Sequence, residues 1–137
     1  MPQEFDTPEG IRADRFMLGK ALLGLLVFDI FGLYRSFEEL LRFVRNYRVV
    51  PRASSAQTVI RVCNAINYAS VWYPKRVLCL QRSAVTTCLL RRSGVPAEMV
   101  LGAQHLPFKA HAWTEVDRGA INERRDVQKI YGVLERC

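Results

Sequence analysis

Cys79-Leu-Gln-Arg-Ser-Ala-Val-Thr-Thr-Cys88-Leu-Leu-Arg-Arg-Ser-Gly94-Val-Pro96 is the stretch where the chain changes its period. Up to Arg92, apolar residues recur three and four apart, and Leu80, Ala84, Val85, Cys88 and Leu89 form the inner face of a helix. Gly94 supplies a helix stop, and Pro96 prevents the helix from resuming. Beyond it the spacing is that of strands. Ala97 to Ala103 reads as the first, and Gln104 to Lys109, with Pro107, reads as a loop. His111 to Val116 then alternates His, Trp and Glu on one face with Ala, Thr and Val on the other. Asp117-Arg-Gly119 is a turn signal, with a return strand from Ala120 to Asn122 or Glu123. Val127 to Leu134 fits either a strand or a short helix.

Towards the N-terminus the pattern is helical. Tyr73-Pro74 closes a helix from Ser55 to about Trp72, with Val59, Ile60, Cys63 and Ile66 on one side. Ser36-Phe-Glu-Glu39 is a capping box opening a helix whose stripe is Leu40, Leu41, Phe43, Val44 and Tyr47, before Pro51. A first helix fits Pro8 to Leu33, with Thr7 as N-cap and Pro8 at the first helical position. Helices followed by antiparallel strands make an α+β fold. Its 137 residues suit one domain, with residues 1–72 helical and 73–137 mixed.

Half of the residues are hydrophobic and about a quarter charged, a globular composition. The net charge of +7 admits acidic peptides, nucleic acid or anionic lipid as partners, and equally a solvated basic surface. The apolar run from Ala21 to Tyr34 is bracketed by Lys20 and Arg35 and interrupted by Asp29. It falls short of the roughly 20 residues that a spanning helix needs, so the expectation is a core helix and no transmembrane segment. A docking helix is the second reading. The first sixteen residues are polar and charged and do not resemble a secretory signal, which points to a cytoplasmic protein with reduced thiols. Cys63, Cys79, Cys88 and Cys137 show no zinc-site spacing, so no metal or other cofactor is expected.

Two of these cysteines, Cys63 and Cys88, sit among apolar helical neighbours and read as core, while Cys137 is expected at the surface. Cys79 differs. It opens a helix, where backbone N–H groups and the helix dipole favour a thiolate, and Lys75, Arg76 and Arg82 act in the same sense. A lone cysteine at a helix start is more often simply buried. His111 changes that weighting, because a histidine at a loop–strand junction can face a helix N-terminus and take the thiol proton. His105, the other histidine, falls in the loop and reads as surface. A base of this kind needs an orienting partner, and Glu115, Asp117, Asn122 and Glu123 follow it. A two-residue turn at Arg118-Gly119 pairs Glu115 with Asn122 and puts Asn122 on the His111 face. A three-residue turn at Asp117-Arg-Gly119 pairs Trp113 with Glu123 and puts Glu123 there instead.

The run Arg76-Val-Leu-Cys79-Leu-Gln-Arg-Ser83, followed by Leu89-Leu-Arg-Arg-Ser-Gly-Val-Pro-Ala97, resembles the nucleophile helix of transglutaminase-like proteins. Phe108-Lys-Ala-His111-Ala-Trp-Thr-Glu-Val116 resembles that superfamily's His-Ala-Trp-x-Glu-Val strand. Cys-Leu-x-Arg-Ser together with Ile121-Asn-Glu123 is similar to the peptidase portion of the lasso-peptide biosynthesis B proteins. The likeness covers residues 76–123 in detail and the helical part by general character; jointly the motifs are specific.

That resemblance implies a papain-like, transglutaminase-like cysteine peptidase core over residues 73–137. It implies Cys79 as nucleophile, His111 as general base and acid, and Glu123 where the family usually has aspartate. Asn122 is the alternative third member, since an amide also holds a histidine tautomer. The implied activity is endoproteolytic removal of a leader from a ribosomally made lasso-peptide precursor. The implied partners are that precursor, a separate leader-recognition protein and the ATP-dependent lasso cyclase, with no nucleic acid. Two other readings compete. An amine acceptor in place of water would make the same residues an acyltransferase, and a non-catalytic basic module binding RNA or lipid would account for the charge alone.

Overall fold

The computed structural model describes residues 8–123 and 127–137, with side chains from residue 15 onward. In order along the chain these form α1 (Pro8–Tyr34), α2 (Phe37–Asn46), α3 (Ala56–Trp72), α4 (Cys79–Arg92), β1 (Ala97–His105), β2 (Phe108–Val116), β3 (Gly119–Ile121), α5 (Val127–Ile130) and β4 (Gly132–Arg136). The strands make one antiparallel sheet in the order β3-β2-β1-β4. The architecture is α+β, helices packed on a small antiparallel sheet.

Capping explains where the helices begin. Ser36 accepts the Glu39 N–H at 3.3 Å while the Glu39 carboxylate accepts the Ser36 N–H at 3.0 Å, so the box opens α2 as expected. Leu40, Leu41 and Val44 are the buried residues of that helix, whereas Phe43 turns partly outward. On α3 the buried stripe is Val62, Ala65, Ile66 and Ala69, rotated from the expected one, and Ile60 is exposed. Thr7, the expected cap of α1, lies outside the described residues.

Helix α4 sits at the centre, touched by α1, α2, α3, β1 and β2. A helix buried on nearly every side must satisfy its polar side chains internally. Ser83 and Thr86 donate to carbonyls one turn back, at 2.7 Å each, and Gln81 donates to the Leu25 carbonyl of α1 at 2.6 Å. Arg91 is the chief tie. Its guanidinium donates to the carbonyls of Ala97 (2.8 Å), Tyr47 (3.1 Å), Cys137 (2.7 Å) and Val44. Val44 and Tyr47 belong to the negative end of α2, so one buried cation caps a helix and joins it to β1 and to Cys137. Cys137 is therefore buried, against expectation, and its backbone pairs with Met99 in both directions. Gly94, at φ +92°, stops α4 beside the Arg52 carbonyl, a place without room for a Cβ.

Three further expectations change. β1 and β2 are joined by a two-residue turn, Leu106-Pro107, in place of a loop from 104 to 109, and His105 ends β1 at the surface. Val127 to Leu134 is neither strand nor helix alone, because α5 is followed directly by β4. α1 begins at Pro8 as expected, but the apolar run is not too short. The window Arg15–Tyr34, reaching past Lys20, is long and apolar enough, at a mean hydropathy of 1.9, to cross a membrane. One face of this helix nonetheless belongs to the core: Ala21, Leu25 and Phe28 are buried, and α1 packs on α3 and α4. Asp29 is held by Lys75 at 2.5 Å and by the Tyr73 hydroxyl at 2.9 Å. Those two contacts keep its carboxyl below the usual range.

Candidate active site

Cys79 is the first residue of α4. Leu78 precedes it in extended conformation and carries no side-chain acceptor, so no side-chain cap binds the opening N–H groups of the helix. The sulfur is exposed, beside the positive end of the helix dipole. The other cysteines stand in different surroundings. Burial pushes the Cys63 thiol up to about 11 and the Cys88 thiol up to about 12, and it raises Cys137 as well.

β2 crosses beneath α4. Thr114 Oγ1 reaches the Ser83 carbonyl at 3.2 Å and lies 3.2 Å from Thr87 Oγ1, which fixes the helix over the strand. One cleft of about 40 Å³ is lined by Cys79, Arg82, His111, Asn122 and Glu123 together with neighbouring parts of α4 and β2. The three residues named from the sequence, and the alternative fourth, are thus neighbours. Glu115 and Asp117 do not line it.

His111 is held from two directions. Its Nε2 lies 2.9 Å from Glu123 Oε2, with both side chains about four-fifths buried. Its ring stacks on Trp113 at 6.0 Å and 24°, and Tyr131 stands 5.3 Å away. Trp113 is itself fixed, because its indole N–H donates to Glu115 at 2.9 Å. Glu115 is buried, and it also accepts from Gln128 at 2.7 Å and from Arg136. Burial alone would raise the Glu115 carboxyl, but these three donors outweigh it and hold the pKa below the usual range. The close packing needs Gly102, the β1 partner of His111, since a Cβ there would meet the Trp113 ring at 2.7 Å and Tyr131 at 2.9 Å.

The hairpin uses neither turn drawn from the sequence. Val116 pairs with Gly119, so the turn is Asp117-Arg118, with φ of 52° and 66°, the two left-handed residues of a type I′ turn. Arginine is not a residue that advertises this conformation, and the Gln128 amide at 2.8 Å from the Arg118 carbonyl supports it from outside. By strict alternation Asn122 would come to the Trp113 face. Instead the ladder ends at Ile121, and Asn122 adopts φ +53°, which turns the chain and brings Glu123 to His111.

Asn122 is occupied elsewhere. Its amide and that of Asn67 on α3 bond each other reciprocally, at 3.0 and 3.1 Å. Arg82 donates to Asn67 Oδ1 at 2.7 Å and to the Asn122 carbonyl at 3.4 Å. A three-residue clamp from α3 and α4 thereby pins the corner that delivers the acid. Asn67 and Tyr131 carry no sequence signal of a site role, since one is a polar residue on an exposed helix face and the other a lone aromatic near the C-terminus.

Among the described residues, no group of three or more His, Cys, Asp and Glu could hold a metal ion. The family model of the transglutaminase-like superfamily matches residues 24–136. No curated protein and no solved structure matches the chain.

Proposed function

The chain belongs to the transglutaminase-like superfamily, and from that premise we propose that it is a cysteine peptidase removing the leader from a ribosomally made lasso-peptide precursor. The carrying observation is a helix-opening cysteine that shares a cleft with a histidine whose Nε2 is engaged by a carboxylate. A carboxylate accepts, so the Nε2 position carries the proton and Nδ1 is left as the basic nitrogen. The precursor class is supported by the Cys79-Leu-Gln-Arg-Ser83 and Ile121-Asn-Glu123 patterns.

In this reading Nδ1 of His111 takes the Cys79 proton and the sulfur attacks the scissile carbonyl. The resulting imidazolium, balanced by Glu123, protonates the departing amine of the core peptide. A water then gives its proton to His111 and releases the leader acid from the thioester. The Cys79 backbone N–H, at the helix start, is placed to donate to the developing oxyanion. Product with a free N-terminus suits an ATP-dependent cyclase, and a separate leader-recognition protein would present the precursor.

The exposure of Cys79 favours one second reading, because a thioester there is open to amines as well as to water. Mass spectrometry of the precursor incubated with the chain and a primary amine separates them: hydrolysis yields leader acid only, transfer yields leader amide. Cys79→Ala and His111→Ala should each abolish cleavage while circular dichroism stays that of the parent. Turnover surviving in Cys79→Ala would end the enzymatic reading.

A further inference from the structure

The apolar trough between α1, α2 and α4 is separate from the Cys79 cleft and far larger. It is an open groove of about 320 Å³ floored by Leu23, Val27 and Phe28 of α1, Phe43 of α2 and its C-cap Tyr47, and Leu89 of α4. Leu23, Val27 and Phe43 are 61 %, 46 % and 41 % exposed. Phe43 and Tyr47 also line an adjoining depression of about 380 Å³ that reaches Phe31 and Arg42.

Its rim is cationic at the α1–α4 end, while the depression beyond Phe43 also holds Glu39, paired with Arg35 at 3.5 Å. Lys20 and Arg92 stand at one end with Arg52 close enough to act on the same ammonium, and none of the three has an acidic partner among the described residues. Their mutual repulsion adds to burial in lowering the Lys20 pKa. Arg42, at the far end, is likewise without an acidic partner there.

We propose that this trough docks an acidic amphipathic helix of a partner protein, apolar residues on the floor and carboxylates against Lys20, Arg52 and Arg92. An extended apolar trough with charged rims is the shape that receives one helix face. A second copy of the chain is a poor occupant, since each carries +7. A bilayer would meet the exposed Leu26, Ile30 and Leu33 of α1 and is separated by the vesicle arm of the test. The substrate's own cleavage site is also ill suited. Val85, Cys88, Leu89 and Arg92 face the trough, whereas Cys79, Arg82, Ser83 and Thr86 face the cleft, roughly a third of a turn further round α4. Arg92 stands about 20 Å along the helix from Cys79. A helix seated there leaves the cleft open, and its binding does not depend on the peptidase reading.

The test is fluorescence anisotropy of the full chain with a labelled helical peptide carrying Leu at i, i+3, i+4 and i+7 and Glu elsewhere, compared with the same peptide bearing Lys. The acidic peptide should bind at least tenfold more tightly, and should weaken several-fold from low to high salt. Lys20→Glu with Arg92→Glu, and separately Val27→Asp, should each weaken it at least tenfold, while Cys79→Ala and Leu134→Asp leave it unchanged. Should the double reversal fail to fold by circular dichroism, Val27→Asp and the salt series still decide. Equal binding of both peptides, or indifference to Val27→Asp, overturns the proposal. So does retention on anionic vesicles, or self-association in sedimentation, that Val27→Asp removes while the acidic peptide does not bind.

Discussion

The two ends of α4 make opposite uses of the same residue type. At the N-terminal end Cys79 is exposed beside backbone donors that no side chain caps, in a small cleft with His111, Arg82 and Glu123. Nine residues on, Cys88 is buried against α1 and its thiol is driven to about 12. Position on the helix, and not sulfur chemistry itself, separates a reactive thiol from a packing atom.

The sharpest way to break that comparison is alkylation of the native protein with iodoacetamide near neutral pH, read by peptide mapping. Cys79 should react on the order of 10³-fold faster than Cys63 or Cys88, whose thiolate populations are minute. Comparable rates would erase the distinction. Next in size is Arg91→Ala, at the buried end of α4, which strands four carbonyls. Denaturant unfolding should show a loss of about 3 kcal/mol or more. A loss below about 1 kcal/mol would mean water replaces the guanidinium.

At the cleft end, Glu123→Ala should lower kcat by about 10- to 100-fold through loss of His111 orientation, and Asn122→Ala by only a few-fold. The reverse order would move the orienting role to Asn122. The smallest effect concerns Glu115. Its folded pKa is depressed, so the stability it contributes is present above the unfolded value near 4.3 and is lost as pH falls through the folded value. Thermal melts at pH 7 and pH 3 should show Glu115→Gln losing less on acidification than the parent, a difference on the order of 1 kcal/mol.

Much of this arrangement is legible along the chain. Cys79 and Gly94 bound α4 in the sequence as they do in space, because caps and stops are local chemistry. The capping box at Ser36 is equally local. What escapes is whatever depends on a distant partner. Asp117-Arg118 turns where no local preference asks for it, and Gln128 braces it. Glu123 reaches His111 from a corner held by Asn67, fifty-five residues before Asn122, and by Arg82. Cys137 looked exposed by position and is buried by Arg91, while Ile60 looked buried by spacing and faces out because α3 presents a different stripe to α1.

Gly102 carries a last consequence. It has no side chain and meets His111 only through the β1–β2 backbone pairing, yet its missing carbon lets the indole lie flat against β1. A methyl group at this spot would act as a shim, tilting Trp113 and, with it, the imidazole of His111. The neighbouring strand is thus a tuning screw for β2, reachable without altering His111, Cys79 or Glu123.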